Sequence, residues 1–187
     1  MEKYFALDGA VVKSMDEINS YDKLKAVVED MTKKKKDLGI EGVFASTSLQ
    51  PGEDWRWQTH LANLPVYYEY KDNDVNDMNK IKFKYAKNYQ NVLDLYMNNS
   101  VSEKGLLGST DVATSMAEFA MGQCAMVQNG NWAWGQISQV DGNVVKKEDV
   151  KFMPIYFGVD DENQGLCIGT ENFWCCLLYT SDAADDK

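Results

Sequence analysis

The residues best equipped for recognition chemistry lie in Gln128-Asn129-Gly130-Asn131-Trp132-Ala133-Trp134-Gly135, where two tryptophans sit among amides and glycines directly after the apolar run 124–127. Tryptophan offers a large flat apolar surface and loses little rotamer entropy on ordering, so such a pair serves either as core filler or as the floor of a site for a flat ligand. The backbone decides. Extended chain puts Trp132 and Trp134 on a common face, whereas helical chain makes them diverge and sends Trp134 to the core. A second constellation, Glu53, Asp54, Trp55, Arg56 and Trp57, joins carboxylates, aromatic rings and a guanidinium at the end of a short apolar segment. Ionised carboxylates make stronger, charge-assisted hydrogen bonds to polar ligands than neutral amides do. The alternative is that Arg56 and Trp57 pack against the start of a helix.

Other chemistries find less support. His60 is the only histidine, with no nucleophile motif around it and no second imidazole for a metal, so a structural role near the loop is expected. Cys124, Cys167, Cys175 and Cys176 form no Cys-x-x-Cys pair and accompany no histidine cluster, which points to small buried hydrophobes rather than a zinc site or a disulfide framework. Glu53 and Asp54 could suggest the carboxylate pair of a glycosidase. That chemistry needs two carboxyls facing each other across a bond, and adjacent residues on one loop point in different directions. Binding without bond chemistry is the simpler reading, with no metal and no cofactor.

Composition narrows the ligand. The chain has 187 residues, 44% of them hydrophobic, and its formal charge of -10 argues against a nucleic-acid or anionic-membrane partner, because these demand clustered Lys and Arg. A neutral ligand fits better. The cluster 33–36 falls within an expected helix, is followed by Asp37, and reads as a solvated face. No run approaches membrane-spanning length and no signal peptide precedes the structured region. The aromatic content of 12% suggests recognition as well as packing.

The elements that must position these residues follow from periodicity. Ser14-Met15-Asp16-Glu17 has the form of a capping box and predicts a helix start. A second helix carries Tyr21, Leu24, Val28 and Met31 on one face and stops near Gly39. Residues 42–46 read as a short buried strand leading into a polar loop at 47–54, and 71–80 as a surface excursion. Between 81 and 97, Tyr85, Tyr89, Val92, Leu93 and Tyr96 mark an amphipathic helix. Another runs from Asp111, with Val112, Met116, Phe119 and Ala120 inward and Gly122 as its stop. Residues 123–128, 150–157 and 166–174 read as strands, the last two separated by the acidic turn 160–163. Alternating helices and strands predict an α/β fold.

Residues 117–134, AEFAMGQCAMVQNGNWAW, resemble the F-x-x-G-x-x-A-M-x-x-N-G-x-W signature of extracellular solute-binding proteins of the maltose-binding type, the ligand receptors of ABC sugar importers. Residues 14–31 are similar to that family's helix region beginning T-W-D-E, 52–63 to its ligand-loop region, and Gly169-Thr170-Glu171-Asn172-Phe173-Trp174 to its late G-x-E-N-Y-W strand. The similarity spans nearly all of 1–175. The tail 176–187 contains CLLYTSDAAD, which resembles one reading frame of a transposase sequencing-library adaptor; it is read as non-native and set aside.

The resemblance implies a periplasmic-binding-protein-like (type II) fold, two α/β lobes joined by hinge strands with sugar in the cleft. Residues 1–128 would be the second lobe and 129–175 the hinge crossing and return strands of an incomplete first lobe, making the chain a fragment. A pyranose has a face of C–H bonds and a rim of hydroxyls, so its site needs an aromatic floor and fixed polar groups around the rim. By position in the motif, Trp132 matches the sugar-stacking tryptophan. Asn129 holds a hydroxyl or fixes the loop, and Gly130 permits unusual backbone angles or close approach. Asp54 and Trp55 are the expected carboxylate and ring of the second loop, with Glu53 behind them, and Trp134 is a further contact or a support for Trp132. The implied partners are a sugar or oligosaccharide and the permease subunits of an ABC transporter. The implied setting is extracytoplasmic, a monomeric cell-surface lipoprotein or periplasmic protein whose signal region and lipid anchor lie outside this chain. A same-fold receptor for a peptide or other polar solute, and a carbohydrate-active enzyme fragment, are the alternatives.

Overall fold

The computed structural model describes residues 1–46 and 48–168. Chain entry is a single turn, α1 (Glu2–Phe5), whose buried Tyr4 donates its hydroxyl to Asp30 at 2.8 Å and accepts the Val11 N–H at 3.1 Å. Ser20 caps α2 (Tyr21–Lys33) by accepting the Lys23 N–H, and Leu24, Val27, Val28 and Met31 form its buried stripe at helical spacing. A short α3 (Lys35–Leu38) ends at Gly39, whose φ of 71° is the left-handed stop expected there. A π-helical turn (Trp57–Leu61) leads into α4 (Asn63–Asn73). Then come α5 (Ala86–Asn98), α6 (Val112–Ala120) and α7 (Ala133–Ile137).

Three apolar clusters hold these elements. The first joins α1, α2 and residues 43–44 through Tyr4, Val27, Val28, Met31, Val43 and Phe44. In the second, Trp57, Leu61, Leu64 and Tyr68 pack with Val92 and Phe157, which seats α4 on α5. The third packs Met116 and Ala120 of α6 against Ala133 and Ile137 of α7.

At the centre lies segment 41–46. Val43 and Phe44 both donate their N–H to the Asn99 carbonyl, Ala125 and Met126 both donate to the Val43 carbonyl, and Glu41 and Gly42 both donate to the Gln123 carbonyl. Ala45 donates to Met126 at 2.8 Å and Val101 to Phe44 at 3.0 Å. The expected strands at 42–46 and 123–128 therefore run side by side in parallel, but as isolated bridges, Phe44 with Ser100 and Phe44 with Met126. The reason is the shared carbonyls: when one oxygen serves two successive amides, the register does not advance as a regular ladder requires. Residues 150–157 form no regular element. Among the described residues the protein is helical with almost no strand, and the α/β expectation is not met by them. The expected strand at 166–174 lies mostly outside the described residues, as do Gly169–Trp174, Cys175, Cys176 and the tail 176–187.

Three further expectations are corrected. The Ser14–Glu17 box yields only a 3-10 turn (Met15–Glu17) without a side-chain cap, because Ile18 leaves helical backbone and buries itself, and one turn without propagation is unfavourable. Glu17 Oε1 instead accepts the Lys13 N–H at 3.0 Å. The helix expected from 81 begins at Ala86. Glu69, only 2% exposed, draws residues 82–84 back by accepting the Lys82 and Lys84 N–H groups, each at 2.7 Å, and Phe83 takes a positive φ of 58°. The excursion starts later than 71, since α4 runs on to Asn73 and ends at left-handed Asp74. Cys124 is buried as expected; Cys167 is exposed.

Two outcomes test this architecture. A Cβ on Gly42 would stand 2.4 Å from the Val101 nitrogen, whereas Gly105 has open space around it. Gly42→Ala should lower unfolding free energy in urea by about 1–3 kcal/mol while Gly105→Ala changes little; equal effects would show that the close backbone approach is not there. Asp111 caps α6 by accepting the Thr114 N–H at 2.7 Å, and that bond, followed by one to the Thr114 side chain, holds its carboxyl below the ordinary range. A depressed carboxylate stabilises the fold above its unfolded pKa of about 3.9 and ceases to as pH falls through the lower folded value. Asp111→Ala should cost about 1 kcal/mol at neutral pH, with the gap from the parent closing in strong acid.

Candidate functional site

The loop that follows residues 41–46 is pinned before it reaches the candidate residues. Buried Glu118 of α6 accepts the Ser46 N–H at 2.6 Å and the Ser46 hydroxyl at 2.7 Å, and the Ser115 hydroxyl donates to the Ser46 carbonyl at 2.6 Å. The chain then turns through 51–54 and becomes helical at Trp55. Glu53 Oε2 accepts the Val112 N–H, so this carboxylate sits on the N-terminus of α6, where the helix dipole favours negative charge. Asp54 Oδ2 accepts the Gln58 amide at 2.7 Å. Both carboxylates expected to face a ligand hold the loop through these contacts.

Arg56 is the clasp between the two constellations. Its side chain is buried, its Nε donates to Asn129 Oδ1 at 3.0 Å, its Nη1 donates to the Glu53 carbonyl at 3.2 Å, and its guanidinium lies over the Trp55 ring at 4.4 Å. Desolvation lowers its pKa from the ordinary value and the Glu53 charge works against that. Asn129 Oδ1 also accepts the Gly130 N–H at 2.9 Å, which tightens the second loop onto the same point.

Three rings gather above this clasp. Trp55 and Trp132 are 6.0 Å apart between centroids and tilted by 32°, with His60 edge-on to Trp55 at 5.4 Å and 5.8 Å from Trp132. His60 Nδ1 lies 2.9 Å from Gln128 Nε2. Trp132 is 43% exposed. Its six-membered ring lies over Gly130, where an added Cβ would meet ring carbons at 2.2 to 2.5 Å. Close approach, rather than a positive φ, is what Gly130 provides.

The question of the two tryptophans is settled by α7. Trp132 is its right-handed N-cap, so the backbone is helical and the two side chains diverge. Trp134 packs, half-buried, with Met116, Ala120 and Ile137. It also borders a cavity of about 930 Å³ whose wall includes Gln128, Asn129, Gly130, Phe44 and Tyr96. Trp57 is core, edge-on to Tyr96 at 4.8 Å.

The structure thus brings together Trp55, Trp132, Asn129 and Glu53 around Arg56, occupies Asp54 with Gln58, and packs Trp134 on α6 and α7, away from Trp132 but on the wall of the cavity. His60 joins the ring cluster, a role that its isolation in the sequence did not signal. The Arg56–Asn129 contact spans 73 positions and had no local signal either. The arrangement suits stacking and hydrogen bonding. Burial, reinforced by the Glu118 charge, pushes the Cys124 thiol far above the reactive range, and among the described residues no His, Cys, Asp and Glu side chains cluster as a metal site would need.

A family model described as bacterial extracellular solute-binding protein matches residues 3–186. No curated protein and no solved structure matches the chain.

Because the Trp132 ring rests on the bare backbone of Gly130, Gly130→Ala should lift the ring without unfolding the protein. Acrylamide quenching of tryptophan fluorescence should increase and near-ultraviolet circular dichroism should change, with far-ultraviolet spectra preserved. Spectra that superimpose on those of the parent would mean that the ring lies elsewhere.

Proposed function

We propose that this chain, which belongs to the bacterial extracellular solute-binding protein family, binds a carbohydrate and passes it to the permease of an ABC transporter. Membership carries the coarser part of that statement: an extracytoplasmic protein whose work is to bind a solute, partnered in general with an ABC transporter and in general without enzymatic activity. The observation that supports a sugar is the Trp55–Trp132 pair, two tilted rings 6.0 Å apart with Trp132 43% exposed. A large aromatic surface left open to solvent is poor core design and a good floor for the C–H face of a pyranose. Asp54 and Asn129, close in sequence to Trp55 and Trp132, are the polar groups read as meeting hydroxyls, exchanging their present partners Gln58 and Gln136 for the ligand, and Glu53 holds the loop from behind.

In this reading residues 1–128 make the second lobe of a periplasmic-binding-protein-like fold and 129–175 cross the hinge and return. Closure of two lobes around the ligand, rather than bond chemistry, is then the mechanism. Trp134, on the crossing segment, packs against Met116 and Ala120 of the second lobe and so supports the stretch that carries Trp132.

Calorimetry against a panel of neutral oligosaccharides is the direct test. Trp132→Ala should weaken binding of the responding sugar by about 1–3 kcal/mol, the scale of one stacked aromatic. Unchanged affinity would return Trp132 to the packing residues, turnover of any glycan would reject a receptor-only role, and a response to peptides alone would reject the sugar.

A further inference from the structure

Asn129-Gly130 is the one Asn-Gly step in the chain, and two donors hold its carboxamide. Arg56 Nε–H reaches Asn129 Oδ1 at 3.0 Å and the Gly130 N–H reaches it at 2.9 Å. Both groups only donate, so together they fix which end of the amide is the oxygen. Nδ2 accordingly faces acceptors, Gln136 Oε1 at 3.4 Å and Met116 Sδ at 3.5 Å. Residues 127–130 lie in no regular element, and Asn129, half-buried, borders the cavity of about 930 Å³. Part of its surface is open to water.

We infer that Asn129 is a self-modifying residue, converted through a cyclic imide to aspartate, with Arg56 stabilising the charge that develops on Oδ1. Hydroxide removes the Gly130 N–H proton, and the nitrogen attacks Asn129 Cγ. The N–Cγ bond forms and the carbonyl electron pair moves onto Oδ1. It returns as the Cγ–Nδ2 bond breaks, and Nδ2 leaves as ammonia with a proton from water. Water then adds to Cγ of the imide and breaks the N–Cγ bond, so that overall the amide and one water give a carboxylate and ammonium. Gly130 puts no side chain between its nitrogen and the carboxamide, and the Trp132 ring resting on it holds the peptide in place. The Arg56 donor, at 3.0 Å, lies within the range over which fixed N–H groups stabilise an oxyanion.

The surroundings also suit the product. Arg56 is 6% exposed, and among the described residues no carboxylate forms an ion pair with it; Glu53, whose charge acts on it, is engaged with the Val112 N–H. An aspartate at position 129 gives this buried cation a counter-ion where it now has a neutral oxygen, and a charge-assisted bond is the stronger one. The guanidinium directs the second step as well. By polarising the Cγ carbonyl of the imide it steers water to Cγ, which yields aspartate. Attack at the backbone carbonyl of residue 129 instead yields isoaspartate and routes the chain through the side chain. Conversion replaces the Nδ2 donor at the border of the cavity by an acceptor, so the loop offers a solute different hydrogen bonds before and after it. The reaction does not depend on which solute the protein binds.

The experiment incubates the full chain in mildly alkaline buffer, folded and, in parallel, unfolded in urea. Peptide mass spectrometry follows the replacement of amide by acid at position 129, and isoaspartyl methyltransferase counts isoaspartate. The expected result is conversion in the folded parent, mostly to aspartate, against mostly isoaspartate in urea. Arg56→Met, which keeps bulk without the donor, should slow the folded reaction about tenfold and remove the preference for aspartate, with far-ultraviolet circular dichroism unchanged. Arg56→Lys, which keeps the charge without the fork, should fall between the two. An unreacted Asn129 in the folded parent, faster conversion in Arg56→Met than in the parent, or an isoaspartate share equal to that in urea each overturns the proposal. Should Arg56→Met fail to fold, Arg56→Lys carries the comparison. Asn129→Asp gives a readout that does not involve the reaction. It should melt several degrees above the parent at neutral pH and lose that margin in acid, because a carboxylate with a depressed pKa stabilises the fold only above it. A lower melting temperature at neutral pH overturns the fit of the product beside Arg56.

Discussion

The rest of the structure depends on how the buried backbone of residues 41–46 finds its hydrogen bonds. Every buried N–H and C=O must be paired, and here the partners come from two directions at once, residues 99–101 on one side and 123–126 on the other. Gly42 allows the closest approach, since any Cβ would enter the Val101 backbone. The ends of α3, α5 and α6 are thereby gathered onto one segment. Both loops with recognition residues leave from this junction: one through Ser46 toward Glu53, Trp55 and Arg56, the other through Met126 toward Gln128, Asn129 and Trp132. Buried Glu118, holding Ser46 by its N–H and its hydroxyl, adds a side-chain lock at the exit.

On that base the site divides its labour between charge and surface. Arg56, Glu53 and Asn129 form a buried or half-buried clasp whose hydrogen bonds are internal, and this is how a guanidinium can be kept from water without a large net penalty. The rings stand above it. Trp55 is held by the guanidinium beneath it, and Trp132 by the backbone of Gly130. Holding large aromatic rings in fixed positions lowers the entropy lost when a flat ligand stacks on them, the advantage of preorganisation for a receptor that must bind and release.

Much of the helical framework was legible in the sequence. The stripe of α2, its stop at Gly39, the face of α5 and the start of α6 at Asp111 all follow from periodicity and capping chemistry. The failures have identifiable causes. Apolar runs of four to six residues carry no period that separates a strand from other buried extended chain, so 42–46 and 123–128 read as strands although shared carbonyls limit them to single bridges. The pull of Glu69 on residues 82–84 comes from another helix and delays α5. The Ser14 box failed because Ile18 had a better place in the core.

For the site, the chemistry on offer could be read from residue types alone: rings, carboxylates and amides in two short runs, one of them carrying a motif that leads to the solute-binding family. The sequence also stated the alternative for Trp132 and Trp134 in terms of backbone conformation. Folding resolves that alternative, through the helical start of α7, and it is folding that carries Arg56 to Asn129 and His60 to the ring cluster. Local periodicity reflects interactions within a few residues along the chain. Contacts between residues about seventy positions apart are set by the paired backbone at Phe44, which brings their loops together and leaves no trace in the residues on either side.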